Sequence, residues 1–211
     1  VVWGIDFGFR APFAYTILWW DPRDATYYAV AEYERAQTPI VEHVRVLGQL
    51  AARWGPPQII AADPEDANSR NELANSVIWL ASMAPLLARP GHHLHARARA
   101  QHPDAEYIDV TEAEAAKLSA EGLPILRWNL STVPAMKAVK AGLAKVDAFI
   151  SPDVTGARHL LISPDCVNLW RELDGLAWRE SRTGEPEEVV KKDDHLPDAL
   201  RYAIVTHQRN L

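Results

Sequence analysis

The chain has 211 residues, 48% of them hydrophobic and 24% charged, which is typical of a globular protein with one sizeable core. No apolar run reaches the roughly 18 residues of a membrane span, and the single cysteine, Cys166, excludes an internal disulfide or a cysteine-based zinc site. A net charge of −6 argues against a nucleic-acid partner unless positive charge is concentrated locally.

The first residues indicate where the protein resides. The chain begins at Val1 without methionine, on a predicted core strand, and its start does not resemble a secretory signal. We therefore expect a fragment of a longer protein from a reducing compartment, neither secreted nor membrane-bound.

Three strands open the chain. The apolar run "VVWGID" (1–6) predicts a buried strand that ends in an aspartate, and "FAYTILWW" (13–20) and "TYYAVAEYE" (26–34) predict two more. Because the connections are short, we expect an antiparallel meander.

Helices and strands then alternate. The predicted helices cover 39–54, 69–84, 111–120, 131–146 and 164–175, and the predicted strands cover 58–63, 123–128 and 158–163. A last helix begins near Asp194. This order predicts an α/β domain in which a mixed central sheet, made of the meander and parallel strands, is flanked by helices on both faces.

Positive charge is concentrated in the tract 87–103, "LARPGHHLHARARAQHP", which contains no acidic residue. Its arginines could contact phosphates, or the tract could be an ordinary solvated loop. Its histidines, including His92, His93 and His95, lack the usual metal-ligand spacing and a nearby carboxylate, so they are a weak metal signal.

Aspartates end two of the predicted strands. Asp6 follows "VVWGI" and Asp63 follows "QIIAA", and ligands of open α/β sheets bind outside the carboxyl ends of the strands. If these strands are neighbours, the two carboxylates repel each other, and a divalent cation such as Mg²⁺ removes that conflict. Alternatively, Asp6 starts a plain turn and Asp63 an Asx turn.

The closing helix, in "KKDDHLPDALRYAIV" (191–205), has an acidic start. Asp194 could cap it, and Asp198 could form a solvated salt bridge with Arg201 three residues on. Asp198 could instead supply a third carboxylate to the same crevice, with Asp194 one turn earlier. Three such carboxylates are the architecture that two-metal phosphodiester hydrolysis needs.

These motifs resemble a known family. "GIDFGFRAPFAYTILW", "IIAADPEDANS" and "DDHLPDALRYAI" look like the three acidic motifs of the nuclease domain of the large terminase subunits of tailed phages, which package viral DNA. The stretch from "VKAGLAKVDAFIS" to "RHLLISPDCVNLWRELDGLAW" resembles the segment before the third motif. The resemblance covers nearly the whole chain except about 86–122, an excursion or insertion of uncertain structure.

The resemblance implies a single RNase H-like nuclease domain over 1–211 and metal-dependent endonucleolytic cutting of double-stranded DNA. It implies that Asp6, Asp63 and Asp198 bind Mg²⁺ or Mn²⁺, two ions during catalysis, with Asp194 as an auxiliary ligand. His195 would orient a ligand or water. The phosphate-binding loop of the family's ATPase half does not occur here, so that domain is expected to be absent from this chain.

An acidic crevice needs cations at its rim to hold DNA. The candidates are Arg89, Arg97, Arg99, Lys137, Lys140, Lys191 and Lys192. By resemblance, further partners would be the portal protein, the small terminase subunit and the ATPase domain of the full-length chain, in the cytoplasm of an infected bacterial host.

Two other interpretations remain open at this point. "GIDFG" also resembles the first phosphate motif of sugar kinases and actin-like ATPases, although their second phosphate loop and longer chain are not found here. A non-catalytic module that docks on DNA or the portal would keep the fold with a vestigial crevice.

Overall fold

The structure is a computed structural model that describes residues 1–103, 105–176 and 194–211. The chain divides into two compact units. Unit 1 comprises Val1–Gln37, Ile59–Ala67 and Thr132–Leu211, and unit 2 comprises Thr38–Gln58 and Asn68–Ser131. That the whole chain acts as one nuclease domain stays a prediction.

Unit 1 is built on a six-stranded mixed sheet with the order β8-β4-β1-β2-β3-β9. Its strands are β1 (Val2–Asp6), β2 (Phe13–Asp21), β3 (Thr26–Arg35), β4 (Ile59–Ala62), β8 (Val133–Pro134) and β9 (Leu160–Ile162). The first three form the predicted antiparallel meander. The other three pair in parallel, β4 with β1, β8 with β4 and β9 with β3.

Three helices of unit 1 pack together: α6 (Val139–Ile150), α7 (Val167–Gly175) and α8 (His195–Arg209). The closing helix α8 lies directly on β1, β2 and β4. Gly4 makes this approach possible, because a Cβ atom there would stand 1.8 Å from the carbonyl oxygen of Ala199. The apolar residues of α8, including Leu196, Leu200 and Ile204, are fully buried in the core shared with β1–β3, α6 and α7.

Unit 2 holds a three-stranded antiparallel sheet with the order β6-β5-β7. Its strands are β5 (Val77–Ser82), β6 (Tyr107–Val110) and β7 (Ile125–Asn129). Its helices are α1 (Ile40–Trp54), α2 (Ala67–Ala74), α3 (Met83–Leu87), α4 (His95–Arg99) and α5 (Glu112–Ala120). The first residue of α2, Ala67, is assigned to unit 1. Leu86, Leu94 and Ala98 of the 86–122 region are buried in a core with β6 and α5, so this region is folded.

Two predicted helices are wrong in part. The helix predicted over 69–84 ends at Ala74, where the Ser76 hydroxyl donates to the Glu72 carbonyl, and 77–82 is a strand. Its short apolar run, "VIWLAS", fits a buried strand as well as a helix segment. The helix predicted from Ser131 begins only at Val139, because Val133 and Pro134 pair with β4 and a proline disfavours helical geometry in the residue before it.

The predicted fold class, an α/β domain with a mixed sheet, is confirmed. The predicted strand at 123–128 is present as β7 but belongs to the second sheet. Among the helices of the described ranges, none has both the length and the apolar character that crossing a bilayer requires.

Candidate active site

Two of the predicted aspartates lie side by side at one sheet edge. β1 and β4 are parallel neighbours, and the amide of Asp63 donates to the carbonyl of Ile5 (3.1 Å), so Asp6 and Asp63 leave adjacent strands at their carboxyl ends. Asp6 is buried, and Asp63 is half-buried. An oxygen of Asp63 accepts from the amide of Glu65 (2.9 Å), which is the Asx turn considered from the sequence.

The start of α8 brings three further predicted residues to the same place. Asp194 is the N-cap position, and His195 and Asp198 lie in the first turn. Nδ1 of His195 donates to Oδ2 of Asp6 (3.0 Å), which ties the helix to the end of β1. Asp198 is buried. The structure therefore brings Asp6, Asp63, His195 and Asp198 to one end of the unit 1 sheet, with Asp194 next to His195 at the start of α8.

The electrostatics of Asp6 show how close these carboxylates are. Burial raises the pKa of Asp6, and the charges of Asp198 and Asp63 raise it further, while the hydrogen bond from His195 opposes them. The same hydrogen bond is the largest cause of the raised pKa of His195. Burial and the charges of Asp198, Asp6 and Asp63 likewise raise the pKa of Tyr202. The charges of Asp198 and Asp63 thus act on Asp6, whose own carboxylate is buried.

Asp194 does not cap the helix with its side chain. The amide of Leu196 in the first turn donates instead to Oε2 of Glu172 from α7 (2.9 Å). Glu172 is 4% exposed, and burial together with its hydrogen bond to Glu34 raises its pKa to about 7. The capping interpretation of Asp194 is therefore wrong, because a buried glutamate from another helix accepts from this turn.

The salt bridge predicted between Asp198 and Arg201 is present, but it is buried and not solvated as predicted. The pair with Arg201 exists, since Arg201 donates to Oδ1 of Asp198 from Nε (3.0 Å) and Nη2 (2.8 Å). However, Arg201 is 1% exposed, because α8 is buried on nearly all sides from Leu196 to His207. This is a buried ion pair, in which removal of one partner leaves an uncompensated charge.

The donor set fits a hard divalent cation in chemistry. Carboxylate oxygens, here those of the buried Asp6 and Asp198 and the half-buried Asp63, are the ligands that Mg²⁺ and Mn²⁺ accept. Within the described ranges, however, no three His, Cys, Asp or Glu side chains stand in a geometry ready to hold a metal ion. Asp198 faces Arg201 and Asp63 faces its own turn, so a bound cation would share these carboxylates with their present partners.

The predicted DNA-binding cations fall into two groups. In unit 2, Arg97 donates to Glu114 (3.1 Å) and to the Asp109 carbonyl (2.7 Å), and Arg89 lies 4.0 Å from Glu121. Arg99 is exposed on α4.

In unit 1, Lys137 forms an ion pair with Glu65, two residues after Asp63, and Lys140 is exposed at the start of α6. Lys191 and Lys192 lie outside the described residues. Their contact with DNA stays a prediction for all seven residues.

The mixed sheet with its helices is the predicted RNase H-like fold, which several solved structures share. Solved structures with this fold include the nuclease domain of the large terminase of bacteriophage SPP1, described with bound Mn (TM-score 0.53, 19% identity, 100% of this chain and 86% of that one). The P22 large terminase nuclease domain gives a TM-score of 0.55 at 16% identity, over 98% of this chain and 80% of that one.

The large terminase of the thermophilic bacteriophage D6E gives a TM-score of 0.55 at 17% identity over 97% of this chain. This chain spans only 38% of the D6E protein's length. No protein-family model matches the sequence, and no curated protein sequence matches it. The predicted resemblance to terminase nuclease domains is therefore confirmed in the fold, which these structures share at low identity.

Sequence reasoning missed two residues that organise the site. Glu172 lies three residues after the buried Leu169 on α7, and this spacing on an apolar helix face could have indicated its burial. Arg201 was considered only as a surface partner. Its spacing from Asp198 is the same in a solvated and a buried pair, so no signal in the sequence distinguished them.

Proposed function

We propose that this chain is a metal-dependent endonuclease that cuts double-stranded DNA, and that it is the nuclease domain of a phage terminase large subunit. One observation carries the proposal: Asp6 and Asp63 leave neighbouring parallel strands at their carboxyl ends, and α8, which carries Asp198, packs on both strands with its first turn bound to Asp6 through His195. That they do so on the fold of terminase nuclease domains adds support.

Each residue of the site has a role that follows from its position. Asp6, Asp63 and Asp198 would hold Mg²⁺ or Mn²⁺, with Asp194 as an auxiliary ligand. When bound, two such ions would lower the pKa of the attacking water and stabilise the leaving oxygen. His195 would orient the Asp6 carboxylate through its hydrogen bond to Oδ2.

The wider assignment is part of the same proposal. The SPP1 domain is described with bound Mn, which favours a divalent cofactor here. Because this chain spans 38% of the D6E large terminase, we place an ATPase domain elsewhere in the full-length protein, with the portal and the small subunit as partners in DNA packaging. The host cytoplasm is the compartment in which such packaging takes place.

Nicking of a supercoiled plasmid tests the proposal. We expect cutting with Mg²⁺ or Mn²⁺, none with a chelator, and weak cutting with Ca²⁺, whose looser coordination suits the reaction poorly. Asp6→Asn, Asp63→Asn and Asp198→Asn should each abolish cutting while the folded state persists in thermal melts. Asp174→Asn, at an exposed aspartate of α7, is the matched control and should cut normally.

Other outcomes would assign the chain differently. Near-normal cutting by one of the three asparagine variants would remove that residue from the ligand set. Hydrolysis of ATP without DNA cutting would favour the kinase-like interpretation, and DNA binding without cutting under any metal would favour a docking module. His195→Ala should slow cutting without stopping it, since His195 orients a carboxylate and does not replace one.

A further inference from the structure

Arg201 is an unusual residue for a buried helix face. Arginine is rarely fully buried unless it is paired, and Arg201 is 1% exposed. All three of its side-chain nitrogens donate: Nε and Nη2 to Oδ1 of Asp198 (3.0 and 2.8 Å), and Nη1 to the carbonyl of Met136 (3.0 Å). The guanidinium thus joins Asp198 to the segment between β8 and α6.

A second helix provides the space that Arg201 occupies. A Cβ atom at Gly142 of α6 would stand 2.6 Å from Cδ and 2.7 Å from Cγ of Arg201. The aliphatic stem therefore lies against the bare backbone of α6, and the guanidinium carbon lies 4.4 Å from the ring centre of Tyr202. Arg201 therefore has contacts along both its stem and its head group.

These contacts bear on the site. Asp198 is the proposed ligand on α8, and its Oδ1 orientation is set by the two hydrogen bonds from Arg201. We propose that Arg201 is a positioning residue that holds the Asp198 carboxylate in place for the divalent cation, and that Gly142 is required because it makes room for the Arg201 stem. The inference rests on the proposed function, since it presupposes that Asp198 binds a metal.

A purely structural ion pair is the competing explanation, and metal affinity separates the two. Residues that orient metal ligands typically contribute 10–100-fold to metal affinity. A structural pair would contribute to the melting temperature alone. Gly142→Ala is the sharpest perturbation, because it keeps both charges and changes none of the proposed ligands but displaces the Arg201 stem. Gly175→Ala, at an α7 position where a Cβ meets nothing within 4 Å, is the matched control.

The experiment measures Mn²⁺ binding to the whole folded chain by calorimetry and by the electron paramagnetic resonance signal of free Mn²⁺. We expect Gly142→Ala to bind Mn²⁺ at least 10-fold more weakly than the unaltered chain, and Gly175→Ala to bind it equally. Arg201→Lys keeps the charge but cannot make three separate donations of this geometry, so it should also weaken binding about 10-fold. It provides the same test if Gly142→Ala does not fold.

Two results would overturn the inference in distinguishable ways. If the unaltered chain binds Mn²⁺ and Arg201→Lys or folded Gly142→Ala binds it within twofold, Arg201 is only a structural partner and the proposed function stands. If the unaltered chain itself fails to bind Mn²⁺ and to cut DNA, the proposed function fails, and the role of Arg201 fails with it.

Discussion

Glu172 should make the stability of this protein fall as the pH rises. Its carboxyl group is buried, accepts from the amide of Leu196 and lies beside Glu34, and its pKa is about 7 against an ordinary value of 4.5. Between these two values the folded chain holds a proton that the unfolded chain has released, so the free energy of unfolding decreases with rising pH. A difference of about 2.5 pKa units sets an upper limit of about 3 kcal/mol, shared by the Glu34–Glu172 pair.

Glu172→Gln removes this titration and keeps the shape. The amide oxygen can still accept from Leu196, and the amide nitrogen can donate to Glu34. At pH 8 we expect the variant to be more stable than the unaltered chain by about 1–2 kcal/mol, less than the limit because a charged acceptor suits the first turn of α8 better than a neutral one. This corresponds to an increase in melting temperature of about 3–8 °C. At pH 5 the two proteins should melt within about 2 °C of each other, since Glu172 is then protonated.

The assay is a series of thermal melts, in chelator, from pH 5 to pH 8. His195, whose pKa is raised, adds a slope of the same sign, because its stabilising charge is lost as the pH rises through its folded pKa. The difference between Glu172→Gln and the unaltered chain therefore reports the titration of Glu172 together with its effect on His195. Glu172→Leu leaves the Leu196 amide without this acceptor and should be less stable at every pH, whereas Asp174→Asn should change nothing. An unchanged slope in Glu172→Gln would refute the reasoning.

Three further predictions concern the site and the basic tract. Asp6→Asn should melt higher than the unaltered chain in chelator at pH 8, because burial and two like charges raise the pKa of Asp6. A lower melting temperature would contradict this. Asp194→Ser should leave the melting temperature unchanged, since the Asp194 side chain makes no cap bond. Cutting by this variant should need more Mg²⁺ than cutting by the unaltered chain. Full activity at low Mg²⁺ would remove Asp194 from the ligand set. Replacing Arg97 and Arg99 together by alanine should weaken DNA binding on all sequences alike and lower the salt slope by about two units, whereas an unchanged slope would make the tract an ordinary solvated surface. Of the two single variants, only Arg97→Ala should lower stability, by about 1 kcal/mol, because Arg97 binds Glu114 and the Asp109 carbonyl.

The acidic motifs could be located from the sequence because each stands at an element boundary with a clear signal. Asp6 and Asp63 end short apolar runs, and parallel pairing of those runs places the two residues at one edge. The β1–β3 meander was predictable for the same reason, since short connections leave few alternatives. These features depend on local pattern and on strand direction alone.

Burial and partner choice could not be predicted in the same way. The run at 77–82 is equally compatible with a helix and a strand until β6 and β7 pair with it. The Asp198–Arg201 pair looks solvated in the sequence because its burial depends on α6, and the apolar stripe of α8 accounts for only part of its buried surface. Similarly, Asp194 has the residue type of a cap, but Glu172, 22 residues earlier, accepts from the first turn.

The start of α8 shows why this site needs all of unit 1. His195 is held by Asp6 at the end of β1, the Leu196 amide by Glu172 of α7, and Asp198 by Arg201, whose stem lies against α6. Two of these partners come from β1 and α7, the third is Arg201 of α8 itself, and each pair contains an ionisable group that would be costly to bury alone. The carboxylates can therefore be kept together only after the sheet and the three helices have packed. The same interactions hold α8 in place and set the positions of Asp6 and Asp198. The stability of α8 and the geometry of the acidic site are therefore coupled. A substitution at Gly142 or Glu172 should change the positions of the carboxylates although neither residue is a proposed ligand.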